Sequence, residues 1–467
     1  VARVEAGIPE ATDYTTPYFL RLPRAGDLYQ WDPDDKASWG LPFEESLLEV
    51  AVALEPAIRE TREITFRGND QATGEFRRPV VVVPRVGVRV DPELEIWPVS
   101  DRGPRIFTVT LTHGARDTTT GRVALRLPAG WSESPPQAFR LTREDEQVAL
   151  RFTVRPPRGL AEGLYEVAAL ATDARGRVFD VGMRSVDHAH TRPRMWARRA
   201  AAVVRTADLV LPRLRRVAYV RGAADRVPEA LATVGLPVDL LRGADLTRDL
   251  GRYDVIVVGP RAFETDPDLP AANERLLAYA KTGGTVVVQY QQYGYFLGGF
   301  APFPLTVGSR QPGTPNTTAV VARRDSTPAP VSGTLGGHDR VADESGPVAL
   351  LETRSPVLRH PNRIRPRDWD GWVQERGLYF ARTWDPAWQP LLEMHDPGEP
   401  ALRGGLLVAG VGKGTYVYTG LSFFRQLPAG VPGAWRLFLN LLALGERQAL
   451  PSRPAVQPRD SLKVERE

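Results

Sequence analysis

The chain has 467 residues, a formal net charge of +4 and no cysteine. Such a length exceeds one ordinary domain and can bury more than one core. The missing cysteines exclude disulfides, thiolate metal sites and a cysteine nucleophile. Acidic residues are mixed with basic ones along the whole chain, which argues against a nucleic-acid stripe, and no run of eighteen apolar residues offers a membrane span. Only Lys36, Lys281, Lys413 and Lys463 are lysines, so arginine carries most of the positive charge. The sequence begins at Val1 without Met or a signal-peptide pattern, which predicts a piece of a longer or processed polypeptide.

Residues 1–84 are expected to be β-rich, with strands at 17–20, 48–54, 62–67 and 77–83 and a turn at Gly68-Asn69-Asp70. Residues 85–187 carry short alternating runs separated by Pro and Gly, the pattern of an immunoglobulin-like sandwich. A basic linker is expected over 188–215, with an Arg-rich amphipathic helix from Met195 to Leu211. From Arg216 the pattern changes to alternating strand and helix. Strands are expected at 217–220, 238–241, 253–259 and 286–290, with helices at 227–234 and 273–281. Residues 302–330, rich in Pro, Thr, Ser and Gly, predict an irregular insertion. A late hairpin around Gly412-Lys413-Gly414 and an amphipathic helix at 434–444 close a domain over 216–450. Residues 451–467 form a charged tail. The expected fold is thus two immunoglobulin-like sandwiches followed by a three-layer α/β domain of flavodoxin-like order.

Chemical motifs are sparse. Gly412-x-Gly414 lacks P-loop spacing, Gly222 to Asp225 lacks the dinucleotide fingerprint, and Ser422 lacks a nucleophile elbow. His338, His360 and His395 are scattered, His188 and His190 have no third ligand, and Asp32-Pro33-Asp34-Asp35 is a solvated acidic loop. The strand at 286–290 ends beside Gln289, Gln291 and Gln292, where the carboxyl ends of a parallel sheet face the functional crevice. Glutamine is no nucleophile, which leaves Gln289 and Gln291 as candidate ligand contacts. The densest constellation is Asp343, Glu344, Asp368, Asp370, Glu375 and Arg376 among Trp369, Trp372, Tyr379, Trp384 and Trp388. Two readings stand. Aromatic faces and carboxylates together can line a sugar cleft. Alternatively, the tryptophans plug the sheet edge while acids and arginines pair to fix a long loop.

Five stretches carry a resemblance: 222–228 (GAADRVP), 283–290 (GGTVVVQY), 340–344 (RVADE), 371–380 (GWVQERGLYF) and 423–434 (FFRQLPAGVPGA). With them the region 216–444 resembles the C-terminal part of large bacterial PIG-L (LmbE-like) deacetylases, and it looks like a class I glutamine-amidotransferase-like or ThuA-like α/β domain. Residues 84–187 look like the sandwich associated with α-galactosidases and other carbohydrate enzymes. The resemblance implies the accessory half of an extracytoplasmic, periplasmic or secreted enzyme acting on N-acetylated sugars. Its H-P-D-D-E and H-x-x-H zinc motifs do not occur here, so the resemblance transfers no catalytic residue and no metal ligand. Zinc is expected only in a deacetylase domain that precedes Val1 or forms a separate chain. The expected role is therefore non-catalytic: carbohydrate binding, substrate positioning or domain assembly. A hydrolase using the acidic, Trp-lined cleft and a structural or surface-assembly protein are the alternatives.

Overall fold

The computed structural model describes residues 9–446 apart from 10, 11, 27, 45, 55–57, 73, 102, 133, 189, 237, 308–317, 324, 325 and 333–338. The expected tail at 451–467, His338 and much of the expected insertion lie outside the described residues. The chain divides into two compact units, Val1–Thr206 and Ala207–Glu467.

Among the described residues the first unit contains one sandwich rather than two. Within 1–84, Glu49–Leu54 pairs with Ile58–Glu63, and Thr65–Asp70 with Gly74–Pro79, each pair a two-stranded sheet. Charged residues crowd both hairpins, and Val50, Val52 and Phe66 are 42%, 45% and 59% exposed. Ribbons of this kind lack the apolar face that a packed sheet needs. The expected strand at 17–20 is a single 3-10 turn, Tyr18–Leu20. Nor does the chain turn at Gly68. The strand runs through it because the Phe76 ring lies where a side chain would stand, 2.3 Å from the position of a Cβ.

Between Val86 and Ala207 two antiparallel sheets enclose a core. One holds Gln147–Val154, Arg105–His113 and Val86–Asp91, in that order. The other holds Leu94–Pro98, Ala201–Ala207, Gly163–Asp173, Thr119–Arg126 and Gln137–Leu141, with Val178–Phe179 added beside Gly163–Asp173. Alternation decides which side chains enter: Phe107, Val109 and Leu111 are fully buried while the threonines between them are not. Trp97 anchors the core and stacks on Trp131 at 5.0 Å.

The segment expected as a linker with an amphipathic helix is strand. Arg194–Arg199 pairs with Val181–Val186, and Ala201–Ala207 lies antiparallel to Gly163–Asp173. Ala202, Val204 and Thr206 are buried and Val203 is 38% exposed, a period of two, and β-branched residues favour it.

The second unit is built on an open seven-stranded sheet. Its strands are β1 (Val217–Val220), β2 (Val238–Leu241), β3 (Val255–Val258), β4 (Thr285–Gln289), β5 (Gln389–Pro390), β6 (Leu406–Val411) and β7 (Gly414–Thr419). They lie in the order β2-β1-β3-β4-β7-β6-β5. The first five in that order are mutually parallel, and β6 and β5 are added antiparallel. Helices are α1 (Val227–Thr233), α2 (Ala262–Thr265), α3 (Leu269–Lys281), α4 (Tyr293–Leu297), α5 (Phe423–Gln426) and α6 (Pro432–Ala443). Every residue of β1, β3 and β4 is buried, as parallel strands covered on both faces require. Ala218, Val220, Ile256, Val258, Val286 and Val288 share a core with Leu269, Leu276 and Ala280 of α3. The residues between them, such as Tyr219, Val257 and Val287, are equally buried, and α6 packs on β4.

Strand order reverses between β1 and β3, where open α/β sheets form a crevice beyond the carboxyl ends. Here that point is filled. A Cβ on Gly222 would stand 1.9 Å from the Pro260 carbonyl oxygen, and one on Gly259 would stand 2.2 Å from Asp225 Oδ2. Within the expected irregular insertion, Thr318–Arg323 and Ser326–Ser332 form an antiparallel hairpin.

The strand assignment at 201–207 is checked by two substitutions. Val204→Ala should cost about 2 kcal/mol or more in urea unfolding, whereas Val203→Ala, facing outward, should cost less than about 1 kcal/mol. Equal costs would contradict the period of two.

Candidate functional site

The acidic, tryptophan-rich block folds around one buried guanidinium. Arg376 is 2% exposed. Its Nη1 donates to the Trp369 carbonyl at 2.5 Å and its Nη2 to the Gly346 carbonyl at 3.0 Å. The group lies over Trp369 and Trp372, at 5.8 and 5.5 Å from their ring centres. Burial pulls its pKa down to about 10, and the charges of Asp343, Asp370 and Glu344 oppose that fall. Those acids are thus counter-charge for a desolvated cation. Asp343 is itself held below the usual carboxylate range by the hydroxyl and amide of Ser345.

Asp370 is exposed and Glu344 and Trp384 are half-buried, while other members of the block are tied down. Asp368 accepts from Arg436 Nη1 at 2.5 Å and from the Arg365 amide at 2.7 Å. Trp369 and Trp372 are 5% and 3% exposed and 5.3 Å apart, and the Trp372 indole donates to the Asp368 carbonyl at 3.0 Å. Trp388, 2% exposed, packs on Tyr416. Glu375 accepts from Arg425 Nε at 3.2 Å. Three of the four tryptophans expected to stack on a sugar, Trp369, Trp372 and Trp388, are therefore covered by protein, and Trp384 is half-buried.

Gln289 and Gln291 are fully buried. Gln289 Nε2 donates to the Tyr219 hydroxyl at 2.9 Å. Gln291 Nε2 donates to the Gly259 carbonyl at 2.7 Å, and its Oε1 accepts from the Phe263 amide at 3.2 Å. These amides brace the end of β4 against the β3–α2 loop. Ser422 is buried as well, and its hydroxyl donates to the Glu375 carbonyl at 2.8 Å.

What the sequence reading passed over is the residue between the two glutamines. Tyr290 sits at the elbow between β4 and α4 with φ 27°. Its amide donates to the Thr419 carbonyl at 2.6 Å, and its carbonyl accepts from the Arg261 amide at 2.8 Å. Its ring meets Tyr379 at 5.4 Å and Phe424 at 5.1 Å, both edge-on, and Tyr293 meets Tyr379 at 5.7 Å. Among the described residues six non-glycine positions have positive φ, and four of them gather here: Arg261, Tyr290, Gln374 and Tyr379. Such backbone persists only where surrounding packing over-determines it, and it concentrates at functional sites. Two polar atoms beside this elbow, Tyr293 Oη and Arg261 Nε, are buried with no hydrogen-bond partner among the described residues. Tyr293, Gln292, Arg261, Phe424 and Arg425 around it are half-buried.

The phenols here are donors, not nucleophiles. Burial, with Glu375 and Tyr379 nearby, raises Tyr290 far above its ordinary value, and burial with Tyr379 and Asp339 pushes Tyr293 up to about 12. An ionised nucleophile at neutral pH would need the opposite shift. Among the described residues no group of three or more His, Cys, Asp or Glu is placed to hold a metal ion. No described helix is long and apolar enough to cross a membrane.

Residues 103–173 match the family described as "NPCBM-associated, NEW3 domain of alpha-galactosidase". A NEW3 domain is present. It runs through the sandwich from Arg105–His113 to Gly163–Asp173, and it gives the chain a module associated with carbohydrate enzymes. No curated protein matches the chain. Solved structures overlap parts of it. A FixG-related protein from Vibrio parahaemolyticus is 14% identical over 21% of this chain and 91% of its own, with a TM-score of 0.18. A β-galactosidase from Rahnella sp. R3 is 14% identical over 50% and 31%, with a TM-score of 0.27. The E. coli alpha-2-macroglobulin is 16% identical over 29% and 7%, with a TM-score of 0.19. At such scores none of these likenesses bears on what the chain does. The PIG-L and amidotransferase resemblances rest on the sequence stretches alone.

Two outcomes follow from the geometry. Trp372→Ala should lower stability in urea unfolding by roughly 3–5 kcal/mol, as for a core aromatic; a change near zero would mean an exposed ring. The raised phenols also set a pH dependence. Unfolded tyrosine loses its proton near 10.0 while folded Tyr293 keeps it to about 12, so the folded state holds more protons in that interval and stability falls as pH rises through it. Tyr293→Phe should make that fall shallower in thermal melts between pH 9 and 11.

Proposed function

We propose that this chain is the non-catalytic accessory region of a carbohydrate-active enzyme, presenting a saccharide to a catalytic domain elsewhere. The NEW3 match at 103–173 carries this reading. In the second unit the order 2-1-3-4 of the parallel strands supports a three-layer, amidotransferase-like α/β domain. The elbow where such a domain would place a nucleophile holds Tyr290, a protonated phenol among aromatic rings. The resemblance of five stretches to PIG-L-type proteins favours an N-acetyl-sugar deacetylase as the catalytic partner, in the same polypeptide or a separate one, with the zinc in that partner. An extracytoplasmic setting suits a polysaccharide substrate.

The saccharide is assigned to the tyrosine cluster at the β4–α4 elbow rather than to the tryptophan block, where Trp369, Trp372 and Trp388 are buried. Half-buried aromatics, a guanidinium and amides with two unpartnered polar atoms suit a neutral ligand rich in hydroxyl and acetamido groups. The hydrolase alternative loses its cleft with Trp369 and Trp372 buried.

Titration of the purified chain with N-acetylglucosamine oligosaccharides should give saturable binding in roughly the millimolar to micromolar range. No acetate should be released, with or without added zinc. Tyr293→Phe should weaken binding several-fold without lowering the melting temperature, because its buried hydroxyl has no partner to lose. Acetate release by the chain alone would overturn the accessory reading. Undiminished binding by Tyr293→Phe would remove the tyrosine cluster from it.

A further inference from the structure

The stretch Arg363-Ile364-Arg365-Pro366-Arg367 is extended at Arg365, with φ −128° and ψ 163°, before it enters the 3-10 turn Pro366–Trp369. Alternation turns Ile364 inward, 5% exposed, and leaves the three arginines exposed. None of their guanidinium groups forms an ion pair with a described carboxylate. With Asp208, Asp368 and Arg436 they line a cavity of about 90 Å³.

The floor of that cavity is fixed. Arg436, 9% exposed, donates from Nη1 to Asp368 and from Nε to the Asp208 carbonyl at 2.9 Å. One wall is fixed too. Asn362, 4% exposed, accepts from the Val210 amide at 2.8 Å and donates to the Val210 carbonyl at 2.9 Å. Its own amide is held by Asn440 Oδ1 at 2.8 Å. Four arginines thus face two carboxylates across a braced concavity. Low-dielectric walls focus such a positive field. One water needs about 10–15 Å³ by the same measure, so the cavity has space for a group of several heavy atoms.

We propose that this cavity binds a tetrahedral oxyanion, the sulfate ester or phosphate monoester of a larger ligand. Guanidinium forks match oxyanions in geometry and charge. A carboxylate offers two oxygens and satisfies one fork, whereas a tetrahedral ester offers three terminal oxygens to three arginines. None of the residues lining the cavity belongs to the tyrosine cluster at the β4–α4 elbow. The chain would therefore distinguish a charged substituent separately from a neutral ring, and this inference goes beyond the accessory function without depending on it.

Calorimetric titration of the full chain with inorganic sulfate, inorganic phosphate and glucuronate, in chloride at matched ionic strength, tests the site. Saturable binding of sulfate or phosphate, tighter than that of glucuronate, is expected, and the tighter of the two names the ester. The double variant Arg363→Gln/Arg365→Gln should bind about tenfold more weakly with an unchanged melting temperature in chloride. Arg354→Gln, which removes one positive charge outside the cavity, should bind as the parent does. Absence of saturable binding, or equal weakening in the Arg354→Gln control, would overturn the site. Tightest binding of glucuronate would overturn the tetrahedral assignment.

Discussion

A parallel strand buried on both faces must satisfy the polar groups at its end from within the protein, and in the second unit two glutamine side chains do this. Gln291 spans the gap from β4 to the Gly259 carbonyl and the Phe263 amide, and Gln289 reaches the Tyr219 hydroxyl. These bonds fix where the chain leaves the sheet. Between them Tyr290 takes a backbone conformation that a non-glycine residue rarely adopts. The same constraint brings Arg261 and Tyr379, both with positive φ, against it. The tyrosine cluster at the sheet's carboxyl end, with its positive-φ backbone, is thus tied to how β4 is terminated and to the buried amides beside it.

The parallel core was largely legible. β1, β3 and β4 fall where apolar runs place them, because strands covered on both faces must be apolar throughout, and the edge strand β2 falls at its expected position too. α6 followed from its apolar stripe. The N-terminal region was misread because alternation alone was counted. In Glu49–Leu54 the alternating Val50 and Val52 stay exposed, because the strand pairs with Ile58–Glu63 in a two-stranded ribbon. The segment 194–207 was misread for the opposite reason. Alanine and arginine suit a helix locally, and pairing makes strands of it, Arg194–Arg199 with Val181–Val186 and Ala201–Ala207 with Gly163–Asp173.

The candidate site shows a more general ambiguity. Carboxylates and tryptophans gathered around an arginine are also what a desolvated guanidinium needs: carbonyls for its N–H groups, aromatic faces above it, and acids at a distance to offset its charge. Arg376 has all three. Composition cannot separate that environment from a sugar cleft, since both call on the same residue types, and burial alone tells them apart. The tyrosines at the elbow were hidden by a different habit of reading, which looked for a nucleophile at a strand end and passed over a phenol.

The far edge of the seven-stranded sheet is β5, two residues long, and its second residue is Pro390. Proline brings no N–H to a ladder, and a strand this short gives an incoming chain little backbone to pair with. Trp388 is folded in beside it against Tyr416. On that side the sheet therefore cannot grow by strand addition, either into a second copy or into a misfolded neighbour. A domain with five parallel strands of nearly continuous apolar sequence is the kind most exposed to edge-to-edge aggregation, and here two residues insulate one of its edges.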